Sequence, residues 1–249
     1  MGARSFSRIL SGRTVLLLVL GLGQVASAEA AYIEAAQFPF ADVIHGPPAL
    51  DSPEGQAELA TLLILQEYRE AEDVKRVRED NLLDLQLAFA DVLGDWFVNA
   101  KLPIATKLLT DVTQDINGVN NAAKNRWNRV RPFAQNSAIK PCVRLPTNQS
   151  YPSGHTCRSL AEGLLLADLC PDLRNEILAR SQRIGKGRVL AGVHFPSDVR
   201  DAALLAEAVY RSISAAPQFQ CDLAAARMEV DQARKRDMPT RKPPDPDAS

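Results

Sequence analysis

The sequence predicts an all-α, single-domain helical fold, and three observations support that prediction. Apolar residues recur at helical spacing through most of the chain after residue 50. No stretch combines the apolar–polar alternation of a half-buried strand with the turn residues of a hairpin. Hydrophobic residues make up 46% of the 249 residues and charged residues 24%, a balance typical of globular proteins.

The first predicted helix begins at Ser52-Pro53-Glu54, because Ser caps helices and Pro and Glu are favoured in the first turn. The charged run of residues 67–80 is interpreted as a solvated helix face, since Glu72 and Arg76 are spaced for an i,i+4 ion pair. Helical periodicity continues through residues 82–97, where Trp96 is assigned to the core.

Later helices follow from the same periodicity. Residues 103–116 and 119–130 are predicted to be helical, with a break at Asn117-Gly118, and residues 131–151 to form a Pro-punctuated loop. Further apolar periodic stretches lie at residues 156–169, 173–184, 199–213 and 219–230. The tail, residues 234–249, is basic and then rich in Pro and Asp, which predicts disorder.

Residues 1–28 have the layout of a secretory signal peptide. Arg4, Arg8 and Arg13 precede an apolar run at residues 14–23, and Ala26-Ser27-Ala28 supplies a cleavage site. Ten helical residues span about 15 Å, half of a hydrocarbon core of about 30 Å, which disfavours a membrane anchor. We therefore expect cleavage after Ala28, a domain over residues 29–233 with no integral membrane segment, and a periplasmic or secreted location.

Charge argues against nucleic acid as a partner. The chain has 29 basic and 30 acidic residues, and signal cleavage would leave 26 basic against 30 acidic residues. No net positive field is available to hold a polyanion by counterion release.

The chain contains four cysteines, Cys142, Cys157, Cys170 and Cys221. An oxidising compartment makes an even number of cysteines a candidate disulfide set, and four cysteines allow three pairings. Cys157 and Cys170 lie in one predicted helix about 20 Å apart, so that pairing is disfavoured while the others stay open. No spacing of Cys and His residues is typical of a zinc site, and neither a metal nor a cofactor is expected.

The first segment that suggests chemistry is residues 124–132, KNRWNRVRP. Lys124 and Arg131 are seven positions apart and would lie near one face of a helix, which suits a multiply charged oxyanion. The alternative is a surface helix on which Arg126 and Arg129 are ordinary solvated charges.

The second segment, Ser153-Gly154-His155, immediately precedes an apolar helix. A hydroxyl, free backbone N–H groups and an imidazole at a helix N-terminus form a potential oxyanion site. The alternative is a plain capping turn.

The third segment contains Arg188, His194 and Asp198. A carboxylate that binds one imidazole nitrogen fixes the tautomer and leaves the other nitrogen free to attack an electrophile. The alternative, that Ser197 and Asp198 only cap the next helix, does not account for His194 or Arg188. The remaining histidine, His45, lies in a Pro- and Gly-rich stretch and is given no catalytic role.

Together these segments resemble the type 2 phosphatidic acid phosphatase superfamily, which shares its phosphate site with the vanadium haloperoxidases. The family pattern is Lys, six residues, Arg-Pro; Pro-Ser-Gly-His; and Ser-Arg, five residues, His, three residues, Asp. Residues 124–132, 152–155 and 188–198 keep every internal spacing, and Gly187 replaces the family Ser. The exported form and flanking helices look most like the class A bacterial non-specific acid phosphatases.

The resemblance implies a metal-independent acid phosphatase that acts on small phosphomonoesters, releases inorganic phosphate and can transfer phosphoryl groups to other alcohols. It implies that His194 is the nucleophile, oriented by Asp198, and that His155 is the general acid and base. Phosphate binding is assigned to Lys124, Arg131, Ser153, Gly154 and Arg188. Because unperturbed His pKa values lie near 6.5, a mildly acidic optimum is expected.

Two alternative functions remain. A vanadium-dependent haloperoxidase would use the same cationic cage to hold vanadate, and an inactive exported anion-binding protein could have lost activity at Gly187. Members of the resembled family are commonly dimers or larger, so a homo-oligomer is also an expectation.

Overall fold

The computed structural model describes residues 32–81 and 87–237, and all regular secondary structure in these residues is helical, which confirms the predicted all-α class. The helices are α1 (Phe40–Val43), α2 (Pro53–Tyr68), α3 (Ala71–Asp80), α4 (Ala90–Leu93), α5 (Asp95–Asn99), α6 (Pro103–Trp127), α7 (Pro132–Gln135), α8 (Gly154–Leu169), α9 (Arg174–Leu190), α10 (Pro196–Ser214) and α11 (Pro217–Asp237). A 3-10 turn at Pro171–Leu173 precedes α9. None of the helices in these residues is both long and apolar enough to cross a membrane. The predicted signal peptide, residues 1–28, lies outside the described residues.

Helix α8 is surrounded by α6, α9 and α10, and its side chains, among them Leu165, are largely buried. Helix α8 approaches α9 closely at Gly163, where an added Cβ atom would lie only 2.1 Å from Oγ of Ser181. A Cβ atom at Gly185 would similarly lie 3.1 Å from Cγ2 of Thr156. The first turn of α8 therefore lies beside the last turns of α9.

Helix α6 runs without a break from Pro103 to Trp127, so the expected interruption at Asn117-Gly118 is wrong. Asn117 is exposed, and Gly118 packs so closely against Ala35 that a Cβ atom would lie 2.8 Å from the alanine methyl. The helix ends where Asn128 adopts a left-handed conformation with φ of 46°. This turn redirects the chain toward Arg131.

Helix α2 begins as predicted, with the Gly55 N–H donating to Oγ of Ser52 at 3.1 Å. The continuous helix expected over residues 82–97 is interrupted, because Gly94 has φ of 83° between α4 and α5. Residues 82–86 lie outside the described residues. Trp96 is buried in the core as predicted.

The charged face of α3 pairs differently from the expectation. Arg76 binds Asp73 at 2.5 Å, whereas Glu72 lies 3.8 Å from Lys75. The i,i+3 partners replace the predicted Glu72–Arg76 pair.

The C-terminal helix is longer than predicted. Helix α11 extends through Asp237, so residues 234–237 are helical and not part of a tail. Arg234 binds Asp172 at 2.6 Å and lies 5.7 Å from the centre of the Trp96 ring. Residues 238–249 lie outside the described residues.

The four cysteines are free thiols, and none of the candidate disulfide pairings is present. Cys157 and Cys170 are buried in the helical core, whereas Cys221 is exposed on α11 and Cys142 lies in the loop before α8. Sγ of Cys157 donates to the carbonyl of Ala202 at 3.3 Å and accepts from Nδ2 of Asn120 at 3.3 Å. Burial raises the pKa of this thiol to about 12, which suits an uncharged packing role.

Candidate active site

The three sequence segments meet where α6 ends, α8 begins and α9 turns into α10. Lys124 lies in the last turn of α6, Arg188 in the last turn of α9, and His194 in the link that precedes α10. A Cβ atom at Gly154 would lie 3.9 Å from Cε of Lys124, so the lysine stem packs on the N-terminus of α8. All the predicted site residues are therefore brought to one region.

Lys124 and Arg131 do not share a helix face, contrary to the prediction. The helix ends at Trp127, and the left-handed Asn128 turns the chain so that Arg131 approaches from a loop. The loop fixes the guanidinium, because Nε of Arg131 donates to the carbonyl of Asn148 at 2.9 Å and Nη2 donates to its Oδ1 at 2.7 Å.

His194 is held as a neutral imidazole with a defined tautomer. Its Nδ1 lies 3.2 Å from Oδ2 of Asp198, and its Nε2 lies 2.8 Å from Nη1 of Arg131. Because a guanidinium can only donate, Nε2 is the acceptor and the ring proton sits on Nδ1. Burial and the charges of Arg131 and Lys124 lower the pKa of His194 well below its ordinary value.

Both carboxylate oxygens of Asp198 accept hydrogen bonds from neighbouring groups. Its Oδ2 accepts from the Phe195 N–H at 2.9 Å, from the Ser150 hydroxyl at 2.5 Å and from His194. Its Oδ1 accepts from Nη1 of Arg129 at 2.7 Å. Burial alone would raise the pKa of Asp198, but the interactions with His194 and Arg129 outweigh it and lower the pKa to about 2. Asp198 thus both caps α10 and orients His194.

Three cations, Lys124, Arg131 and Arg188, are buried in this region. The charges of Arg131 and Lys124 act on His194, and that of Arg188 acts on His155. Burial, followed by repulsion from Arg131, lowers the pKa of Lys124 to about 7, and the same two causes lower that of Arg188 to about 10. Nζ of Lys124 donates to the carbonyl of Gln149 at 2.6 Å. Nε of Arg188 is buried and has no hydrogen-bond partner among the described residues. A multiply charged oxyanion would relieve this repulsion and use the remaining donors.

The first turn of α8 supplies the second segment. Ser153 caps the helix, with its Oγ accepting from the Thr156 backbone N–H at 3.4 Å and from the Thr156 hydroxyl at 2.9 Å. The backbone N–H groups of Gly154 and His155 lie in the first helical turn, where no intrahelical acceptor exists and the helix dipole favours an anion. The capping alternative is therefore correct for Ser153 without excluding an anion site.

His155 is half-buried. Its ring lies near the backbone of Asn81, a residue that follows α3 and that the sequence did not suggest. Burial first, and then the charge of Arg188, lower the pKa of His155 to about 3. The expectation that both histidines titrate near 6.5 is therefore wrong, because burial first and then neighbouring cations lower the pKa of each.

Asn81, Glu58 and Arg129 also belong to this region, although no sequence motif assigned them to it. Oδ1 of Asn81 accepts from Nη1 of Arg188 at 2.8 Å, which links α3 to the cationic cluster. Arg129 is buried between Asp198 and Glu58, whereas the alternative interpretation of this segment made it a solvated charge. Arg126 is exposed, as that alternative expected. A sequence signal existed for Glu58, a charged residue four positions before the buried Leu62 on α2.

Gly187 packs against α3. A Cβ atom there would lie 3.2 Å from Cγ1 of Val77 and 4.0 Å from Oδ2 of Asp80. The absence of the family Ser therefore coincides with close packing of α3 on α9. His45 is exposed in a nonhelical segment. Within residues 32–81 and 87–237, no group of three or more His, Cys, Asp or Glu side chains is arranged to hold a metal ion.

Residues 105–220 match the family model described as the PAP2 superfamily. The chain is 33% identical over 153 residues to a non-specific acid phosphatase of Providencia stuartii, covering 59% of this chain and 62% of that protein. It is 33% identical over 162 residues to an acid phosphatase of Zymomonas mobilis subsp. mobilis, covering 61% of each. The matches thus span about three fifths of the length of these curated relatives.

A bacterial vanadium-dependent iodoperoxidase has a similar fold. The TM-score is 0.51 at 15% sequence identity, and the alignment covers 68% of this chain and 51% of that one. At this level of identity the likeness concerns the arrangement of helices alone.

Proposed function

We propose that this chain, whose residues 105–220 match the PAP2 superfamily model, is an exported acid phosphatase that hydrolyses small phosphate monoesters through a phosphohistidine intermediate. The observation that carries the proposal is the neutral His194, whose Nε2 faces a guanidinium and whose Nδ1 faces Asp198. The two acid phosphatases that share 33% identity with the chain support the same activity.

In the first step, Nε2 of His194 attacks phosphorus and the bond from phosphorus to the ester oxygen breaks. Asp198 stabilises the positive charge that the imidazole gains, because its Oδ2 lies 3.2 Å from Nδ1. His155 donates its proton to the departing alkoxide, so the alcohol leaves neutral. The products of this step are the free alcohol and a phosphoryl group on His194.

In the second step, His155 takes a proton from a water molecule as the water oxygen attacks phosphorus. The bond to Nε2 of His194 breaks, and inorganic phosphate is released with both histidines returned to their starting states. An alcohol in place of water would give phosphoryl transfer. Lys124, Arg131, Arg188 and the first turn of α8 would hold the nonbridging oxygens, where charge is spread in the transition state.

The decisive variant is His194→Ala, assayed on an aryl phosphate with the chain that begins at Glu29. We expect turnover to be abolished, whereas His45→Ala, a substitution of the exposed histidine, should leave it unchanged. Rapid acid-free quenching should trap a phosphoryl-enzyme that is stable in alkali and labile in acid, as expected of a P–N bond. Full activity of His194→Ala would refute the proposal.

Two inhibitor experiments separate this function from its alternatives. EDTA should leave activity unchanged, and phosphate and vanadate should compete with substrate. Halide oxidation with vanadate and peroxide, without phosphatase turnover, would instead identify a haloperoxidase. Phosphate binding without any turnover would identify an inactive anion-binding protein.

Export is the remaining part of the proposal. It rests on Arg4, Arg8 and Arg13, the apolar residues 14–23 and the small residues before Glu29. Expression of the full chain in a Gram-negative host should yield periplasmic protein whose N-terminal residue is Glu29. An intact N-terminus on cytoplasmic protein would contradict it.

A further inference from the structure

A buried ion network lies directly behind Asp198. Nη1 of Arg129 lies 2.7 Å from Oδ1 of Asp198, and Nη2 of Arg129 lies 2.8 Å from Oε2 of Glu58. Arg129 and Glu58 are each 6% exposed, and Asp198 is fully buried. Such a network is costly to bury, so its presence beside a reactive imidazole calls for a physical reason.

The network has a fixed geometry. Nη1 of Arg129 also donates to Oγ of Ser197 at 2.8 Å, and the Ser197 N–H donates to Oε1 of Glu58. The guanidinium carbon lies 3.9 Å from the centre of the Phe195 ring. Glu58 therefore contacts both Arg129 and the first turn of α10, which also contains Asp198.

The charges explain why both residues are needed. Arg129 alone would cancel the negative charge of Asp198. That negative charge stabilises the positive charge that the imidazole gains when His194 is phosphorylated. Glu58 compensates Arg129, so that Glu58, Arg129 and Asp198 together retain one negative charge behind the imidazole. Because the three groups are buried, water screens this charge only weakly.

We propose that Glu58 and Arg129 are positioning residues for the reaction, which hold the Asp198 carboxylate in place and keep the charge behind His194 negative. The inference rests on the proposed phosphatase function. Glu58 belongs to α2, outside the matched residues 105–220. A helix that precedes the PAP2 domain would thus complete its catalytic apparatus.

The test compares Glu58→Gln with Glu58→Asp, which keeps the charge. We expect Glu58→Gln to lower kcat about tenfold, the size of effect typical of residues that orient a ligand from behind. KM should change by less than about twofold, because Glu58 does not contact the phosphate-binding cations. Glu58→Asp should retain more of the activity than Glu58→Gln. Glu54→Gln, an exposed position on the same helix, is the matched control.

Anion binding provides a measurement that a loss of folded protein would not reproduce. Calorimetry with inorganic phosphate gives the number of sites able to bind an anion. Phosphate affinity depends on Lys124, Arg131 and Arg188 and not on a bond to His194. Vanadate can accept Nε2 of His194 as an additional ligand and so also reports the imidazole. We expect Glu58→Gln to leave phosphate affinity unchanged and to weaken vanadate binding about tenfold.

Equal losses of phosphate and vanadate affinity, or wild-type values for both affinities and kcat, would overturn the inference. If Glu58→Gln did not fold, Arg129→Lys, which keeps the charge but cannot bridge Asp198 and Glu58 with separate nitrogens, would carry the same comparison, and wild-type vanadate affinity together with wild-type kcat would count against the role. Activity retained by His194→Ala would remove the proposed function itself. An inactive His194→Ala beside a fully active Glu58→Gln would remove only this inference.

Discussion

Nη1 of Arg131 lies 2.8 Å from Nε2 of His194 in a buried contact. The atom that would attack phosphorus is thus a hydrogen-bond acceptor whose lone pair is directed at a cation. Arg131 can release Nε2 without losing its place, because its Nε and Nη2 are held by Asn148. We infer that substrate binding moves Nη1 from the imidazole to a phosphate oxygen.

Arg131→Lys should therefore lower kcat/KM about hundredfold. A lysine keeps the charge, but its single nitrogen cannot bind Asn148 and phosphate at the same time in the way that the separate guanidinium nitrogens can. Steady-state kinetics on an aryl phosphate measure the effect. Arg126→Lys, the same change at an exposed position of α6, should behave as wild type. A loss below about threefold for Arg131→Lys would show that its charge alone matters.

Asn81 provides a second prediction, at the contact between its Oδ1 and Nη1 of Arg188. Asn81→Asp places a carboxylate against that guanidinium, where it competes with phosphate. We expect KM to rise about tenfold, consistent with the cost of a charged hydrogen bond. The inhibition constant of inorganic phosphate should rise in parallel, and kcat should change less. Asn99→Asp, at an exposed position, is the control, and an unchanged KM would show that Arg188 binds phosphate independently of Asn81.

The helices and motif residues that periodicity and spacing predicted depend on local sequence. The Ser52 and Ser153 caps and the contact of His194 with Asp198 connect residues within four positions of one another. Such short-range patterns can be recognised without knowing the packing of the chain. The orientation of Arg131 was predicted incorrectly because it depends on the left-handed conformation of Asn128, which helical periodicity does not indicate.

The residues that were missed are joined over long sequence separations. Glu58 and Arg129 are 71 positions apart, and Asn81 and Arg188 are 107 apart. No periodic pattern connects such pairs, and only the packing of α2 and α3 on the later helices brings them together. The pKa of His155 was missed for the same reason, since its shift arises from burial and from Arg188.

The packing at Gly187 predicts how the chain would respond to the family Ser. Gly187→Ser should destabilise the fold by about 1 kcal/mol, because the new Cβ would lie 3.2 Å from Cγ1 of Val77. In a Val77→Ala background this destabilisation should shrink or reverse. The Val77 methyl group is then absent, and Ser has a higher helix propensity than Gly. Urea denaturation of the four proteins measures the coupling. Additive effects of the two substitutions on the free energy of unfolding would contradict a steric contact between Ser at position 187 and Val77.

Anion binding should shift the titration of His155. Burial and neighbouring cations lower the pKa of His155 to about 3, so the ring is neutral near pH 5. A dianion beside Arg188 and Arg131 offsets those cations and favours the protonated ring, which raises the pKa. Binding near pH 5 should therefore take up a proton, and this uptake supplies the general acid for the proposed first step.

Sulfate is the suitable probe, because it remains a dianion near pH 5 and brings no proton of its own. Lys124, with a pKa of about 7, is already protonated at that pH and contributes little. Calorimetry in two buffers of different ionisation enthalpy should detect uptake approaching one proton per site, and His155→Asn should abolish it. Uptake that persists in His155→Asn would assign the proton to His194, and since a protonated His194 cannot attack phosphorus, it would reverse the assignment of nucleophile and acid.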